Sequence, residues 1–158
     1  MSGTGLRIVL DQPEIPGNTG NIIRLAAVTG FELHIAGPTR FDFSDARLKR
    51  AGLDYHDLAV MTQHENLQAA YAAVQPERIF AFTGEGTTHH TKIDYRPGDT
   101  LLFGRESTGL DAHVKQDPRI TALVRIPMLP GRRSLNLANS VSIAVYEAWR
   151  QRGFSGAV

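Results

Sequence analysis

Apolar residues along this chain alternate between short unbroken runs and longer stretches at helical spacing. Residues 6–10 form a run broken only by Arg7, and Asp11-Gln12-Pro13 closes it, because proline cannot simply continue a strand. Residues 17–30 carry a helical pattern, with Asn18 or Thr19 available to cap its start and Gly30 to end it. A strand over 32–36 follows and stops at Gly37-Pro38. The pattern then predicts a helix over 45–51 ending at Gly52, a short strand over 58–61 and a helix over 65–74. The runs 79–83 (IFAFT) and 100–104 (TLLFG) have the continuous apolar character of parallel strands buried on both faces. Between them, 85–99 is polar and rich in Gly, Thr and His, which reads as loop. After a further strand over 122–126, the longest helix is expected over 136–152. There Leu137, Val141, Val145 and Trp149 recur every fourth position, and Ala144 and Ala148 widen the stripe. This alternation predicts one α/β domain over 1–158 with a mostly parallel sheet. No internal repeat, linker or separate RNA-binding domain is evident.

Composition narrows the class. A chain of 158 residues suits one domain with one core, and 42% hydrophobic with 21% charged residues excludes a disordered or fibrous chain. Cysteine is absent, so disulfides and thiolate metal sites are excluded and a reducing, cytoplasmic setting is expected. Met1 to Gly5 lacks the character of a secretory signal, and no apolar stretch approaches the roughly 20 residues that span a bilayer. The formal net charge of +1 selects no partner; a nucleic-acid surface would need its cations gathered locally. They cluster at Arg47/Lys49/Arg50, Arg132/Arg133 and Arg150/Arg152, though short basic groups are also ordinary solvated surface.

Parallel α/β sheets bind ligands beyond the carboxyl ends of their strands, so the segments after Leu10, Thr83, Phe103 and Ile126 are the places to look. The first leads into a helix, apolar nearly all round, that carries Arg24 in its middle. A buried arginine needs a partner, so Arg24 is either half of a structural ion pair or a functional group. Thr83 to His89 is a near-miss of the dinucleotide fingerprint: His89 replaces the third glycine and no helix follows. Gly104 to Leu110 has the glycine spacing of a phosphate loop, but Leu110-Asp111 stands where lysine and a hydroxyl are required. What remains is a glycine directly after a buried strand, giving a ligand room to approach, followed by the Glu106 carboxylate. The fourth segment, stiffened by Pro127 and Pro130, delivers Arg132, Arg133, Ser134 and Asn136 to the start of the last helix. Its free N–H groups suit an anionic or polar ligand, and Ser134 or Asn136 would cap it. The histidines show no metal-ligand spacing, so no metal is expected.

NTGNIIRLAA (18–27), LLFGRESTGL (101–110) and IPMLPGRRSLNLANSVSIAVYEAWRQ (126–151) together resemble the three ordered motifs of the SPOUT, or α/β-knot, methyltransferases. The resemblance is closest to the small tRNA (cytidine/uridine) 2′-O-methyltransferases of the wobble nucleotide. It implies a C-terminal deep trefoil knot holding S-adenosylmethionine, a homodimer, and tRNA as substrate, leucine tRNAs foremost. Position by position, it assigns Phe82, Gly104, Ile126 and Ser134 to the cofactor and Asn18 and Arg24 to the acceptor ribose. It puts Glu106, Asn136 and Asn139 in supporting or RNA-binding places, and Arg132 and Arg133 are the expected RNA cations. The chain departs from the pattern at Arg105 and Asp111, which replace a small residue or proline and a common proline. Competing readings are a non-catalytic RNA-binding module of the same fold, a methyltransferase of another tRNA or rRNA position, and a nucleotide-binding oxidoreductase resting only on Gly84 and Gly86.

Overall fold

The computed structural model describes residues 4–43, 52–53, 55–58 and 60–158. One sheet of seven strands runs through it in the order β3-β2-β1-β6-β4-β7-β5, with every pairing parallel. The strands are β1 (Arg7–Asp11), β2 (Glu32–Ala36), β3 (Met61–His64), β4 (Arg78–Phe82), β5 (Thr88–His89), β6 (Asp99–Phe103) and β7 (Ile120–Arg125). The helices are α1 (Pro16–Thr29), α2 (Tyr55–Leu58), α3 (Leu67–Val74), α4 (Ala112–Lys115) and α5 (Leu137–Gln151). β6 is buried at every position and lies centrally, between β1 and β4, as its unbroken apolar run requires. Alternation along β1 divides the core: Ile8 and Leu10 face α1 and α5, whereas Val9 faces Leu67, Ala70, Tyr71 and Val114 on the opposite side.

The sequence pattern misplaces some elements. The strand expected at 58–61 is instead Met61–His64, and Leu58 closes α2. β3 is an edge strand with no fully buried residue, so apolar content could not locate it. Its register comes from pairing, with Leu33 opposite Met61 and the Gly37 N–H donating to the His64 carbonyl at 2.9 Å. Helix α1 starts at Pro16, so Asn18 and Thr19 lie inside it and do not cap it. Proline at the first helical position gives up an N–H that would have had no partner there. Gly30 closes α1 in the left-handed region at φ 80°, as expected. The polar stretch 85–99 is not simple loop: it supplies β5 and a 3-10 turn, and Tyr95 within it is 1% exposed, its hydroxyl donating to the His90 carbonyl. The helix expected over 45–51 lies outside the described residues.

Candidate active site

The carboxyl ends of β4, β6 and β7 open onto a cavity of about 410 Å³. Phe82, Gly104, Ile126 and Ser134, assigned above by resemblance, all line it, together with Glu106. Phe82 stacks on Phe103 from the neighbouring strand, ring centroids 4.6 Å apart, which fixes one apolar wall. Gly104 acts differently from the expectation of room left for a ligand. A Cβ on Gly104 would sit 2.3 Å from the Gly109 carbonyl carbon and 2.4 Å from the Leu110 nitrogen. A Cβ on Gly86 would sit 2.4 Å from the Val124 carbonyl carbon. Each glycine therefore lets two backbone segments touch, and the cavity shape follows from that contact.

Two loops and the starts of two helices are tied together behind this cavity. The Glu106 carboxylate accepts the backbone N–H groups of Glu14 (2.7 Å) and Ile15 (2.9 Å) and the side-chain amide of Asn18 (3.2 Å). Ile15 has no capping side chain of its own, so a carboxylate 91 residues away supplies the anion that the start of α1 favours. Glu14 reciprocates, accepting both the N–H (2.9 Å) and the hydroxyl (2.7 Å) of Ser107, and these bonds hold its carboxyl below the usual carboxylate range. Asn18 passes the chain on: its Oδ1 accepts from Asn136 Nδ2 at 3.0 Å, while Asn136 Oδ1 caps α5 by accepting from the Asn139 N–H. The three sequence motifs thus form one hydrogen-bonded unit. Asn18 is 7% exposed, with both ends of its amide engaged in that unit. Reading the sequence missed Glu14, whose carboxylate within PEIPGN was the available signal, and the cavity-lining ion pair of Lys115 with Glu85, which no motif spacing marks.

The two departures from the pattern compensate one another. Arg105 donates to both Asp111 carboxylate oxygens, at 2.8 and 3.3 Å, closing the loop between them. Next to them Asp11 is 4% exposed at the end of β1. Burial pushes its carboxyl above the usual range, and the Arg105 charge opposes that rise. An aspartate whose folded pKa is raised loses stability as pH rises from its unfolded pKa through its folded one. Arg105→Ala removes the opposing charge, so the folded pKa of Asp11 rises further and the loss grows. The variant should melt roughly 2–4 °C below wild type at neutral pH, with the gap narrowing on acidification until Asp11 is protonated. Melting curves across pH check this; a gap that widens on acidification would reverse the assignment.

Arg24 overturns its expected burial. Its side chain is 48% exposed, because Asn21, Arg24 and Val28 form the solvent-facing stripe of α1. It pairs with Asp57 at 3.3 Å and donates to the Gly52 carbonyl. Arg24 does not line the cavity. Arg132 and Arg133 are exposed beside Ser134 on the loop before α5. Among the described residues, no group of three or more His, Cys, Asp or Glu could hold a metal ion. His34 does stack on His64 at 2.9 Å between ring nitrogens and reaches Glu32 at 3.2 Å, a pairing the sequence did not suggest.

A parallel sheet with its motifs gathered at one cavity is a frame that unrelated proteins share, so the family must come from the sequence as a whole. The family model described as SpoU rRNA Methylase family matches residues 5–146. The chain belongs to that family. It is 52% identical over 153 residues to the tRNA (cytidine(34)-2′-O)-methyltransferase of Escherichia coli (strain K12), covering 97% of this chain and 98% of the relative. A solved structure concerning 2-OH methylation of C/U34 on tRNA superposes with a TM-score of 0.85 at 44% identity, over 94% of this chain and 91% of the other. A SpoU methyltransferase from Streptomyces viridochromogenes in complex with AdoMet gives a TM-score of 0.79 at 28% identity, over 96% of this chain and 62% of the other. Within this SpoU framework the chain is a methyltransferase, and the cavity at the ends of β4, β6 and β7 is its candidate cofactor site.

Proposed function

We propose that this protein transfers a methyl group from S-adenosylmethionine to the ribose 2′-hydroxyl of nucleotide 34, a cytidine or modified uridine, of tRNA. The observation that carries the reading is the convergence of Glu106, Asn18 and Asn136 from three separated motifs into one hydrogen-bonded unit beside the cavity. The near full-length likeness to the E. coli enzyme names the substrate. Apolar walls from Phe82, Ile126 and Leu137, with the hydroxyls of Ser134 and Ser140 among them, fit a ligand with an aromatic base and polar ends. When bound, S-adenosylmethionine supplies an electrophilic methyl group.

The work of the chain is positioning, which carries much of the rate when an acceptor oxygen must lie in line at near-attack distance. Glu106, Asn18 and Asn136 hold the cavity loop against α1 and α5. Arg24 orients the acceptor hydroxyl or its phosphate; a guanidinium keeps its proton at neutral pH and makes a poor general base. The knot belongs to the same proposal. β7 lies between β4 and β5, and the segment joining those earlier strands crosses it, with the Thr83 N–H on the Val124 carbonyl and the Thr87 N–H on the Leu123 carbonyl. A homodimer is supported by Ile143 and Tyr146, 40% and 43% exposed on α5, whereas Trp149 is buried within its own chain. Action on tRNA supports a cytoplasmic setting for the protein.

Incubation with labelled cofactor and total tRNA, followed by mapping of the methylated nucleotide, tests the reading, and leucine tRNAs are the first isoacceptors to examine. Label at another nucleotide would move the substrate; no label in any RNA would overturn it. Replacing Arg132 and Arg133 together with alanine should weaken tRNA binding and reduce the salt slope of log K by about 1–2, since each lost phosphate contact removes roughly 0.9 from it. An unchanged slope would leave both as ordinary surface charge.

A further inference from the structure

A second cavity, of about 240 Å³, opens beside the first and shares Arg105, Ser107 and Thr108 with it. It lies past the ends of β1 and β2, on the ligand side of the sheet. Its remaining walls come from Gln12, Pro13, Glu14, Pro38 and Arg40, none of which the resemblance assigned. The hydrogen-bonding capacity of these walls is incompletely used. Glu14 takes both Ser107 bonds on Oε1; among the described residues its Oε2 accepts none. The Arg40 guanidinium, on an exposed residue, likewise makes no hydrogen bond or ion pair among the described residues. Gln12 holds a left-handed backbone at φ 56°, a conformation that non-glycine residues adopt at a cost and that tends to mark functional sites.

A carboxylate oxygen and a guanidinium facing one space, between two proline rings, select their ligand. A phosphate would meet the Glu14 charge. A nucleobase edge satisfies both groups, because an amino group donates to the carboxylate while a ring nitrogen or carbonyl accepts from the guanidinium. Proline rings offer flat apolar faces to the base. We propose that this second cavity is a base subsite that reads the amino edge of a nucleotide flanking the one methylated. The inference rests on the reading of the protein as an RNA methyltransferase and adds the residues that recognise sequence beside the target.

The test uses the full-length protein and synthetic anticodon stem-loops in which one flanking base at a time loses its amino group, inosine replacing guanosine or purine riboside replacing adenosine. Equilibrium binding is measured by fluorescence anisotropy, so the answer does not depend on turnover, and methyl transfer is followed separately. At one flanking position, deletion of the amino group should weaken wild-type binding by about tenfold, the scale of one good side-chain–base pairing. In Glu14→Gln the same deletion should cost less than about twofold, because the carboxylate oxygen that takes the amino group is gone while the remaining amide oxygen can still accept from Ser107. Cofactor affinity in the same samples reports the integrity of the first cavity. If every analogue binds wild type as well as its parent, the subsite is refuted. It is equally refuted if Glu14→Gln weakens all hairpins alike while the wild-type discrimination persists, since Glu14 then acts only through the loop it holds at Ser107. A wild-type protein that discriminates among the hairpins yet methylates none would overturn the proposed activity and leave the subsite standing.

Discussion

Gly104→Val should bind S-adenosylmethionine or its demethylated product at least about a hundredfold more weakly than wild type, a loss calorimetry on purified protein would register as no measurable heat. The expectation rests on contacts inside the chain. A Cβ at this position would lie 2.3 Å and 2.4 Å from the backbone of Gly109 and Leu110. Backbone cannot swing aside as a flexible side-chain tip would, so the loop 105–110 has to shift. That loop carries Arg105 and Glu106 and, through Glu106, holds the start of α1 at Glu14 and Ile15. The cavity wall and its support would therefore move together. Gly17→Ala is the matching control, because a Cβ there meets nothing within 4 Å. Melting curves on both variants separate loss of the site from loss of the fold. A folded Gly104→Val protein with wild-type affinity would show that the loop is not part of the cofactor site.

Much of the fold could be read from the chain because its central strands are simple. Runs such as TLLFG, buried on both faces, announce themselves without reference to their neighbours, and β6 lies at the middle of the sheet as its pattern implies. The long α5 stripe was equally legible, since Val141, Val145 and Trp149 are buried within the chain at the predicted spacing. Edge elements were not. β3 has no fully buried residue, and β5 is two residues long within a polar stretch; both owe their place to hydrogen bonds from strands distant in sequence. The start of α1 failed for a related reason: the carboxylate that holds the residues entering it is Glu106, and no local rule looks so far along the chain. Similarly, Arg105 and Asp111 looked like isolated departures until their guanidinium and carboxylate met across the loop. Motif residues were legible as a set because chemistry restricts their types, but their partnerships, Glu14 with Ser107 and Asn18 with Asn136, are properties of the fold.

Arg24→Ala should fold and bind cofactor like wild type while losing methyl transfer by at least about a hundredfold, the scale on which misplacing a reacting group lowers a rate. Reading α1 as wholly buried made a structural ion pair a serious rival, because removing one member of a buried pair costs about 3–5 kcal/mol and would have confounded any loss of activity with unfolding. Exposure removes most of that difficulty. Arg24 lies on the solvent stripe of α1 with its side chain 48% exposed, so its pairing at 3.3 Å with Asp57, itself 14% exposed, is open to water on the arginine side. A pair screened by water on one side contributes about 1 kcal/mol, so the alanine variant should melt within roughly 4 °C of wild type. What the Asp57 carboxylate and the Gly52 carbonyl do is aim the guanidinium, each holding one of its nitrogens. Among the described residues the other terminal nitrogen has no partner, which leaves its donors for an acceptor phosphate or hydroxyl. Arg24→Lys should recover less than about a tenth of the lost rate, because an ammonium lacks the planar fork through which a guanidinium meets two partners while facing a third. Cofactor titration, melting and single-turnover methylation on one preparation of each variant decide the matter. Near-normal turnover in a stable, cofactor-binding Arg24→Ala protein would show that the arginine serves neither acceptor nor transition state. A melting point many degrees below wild type would assign it to the fold, against the exposure that the structure gives it.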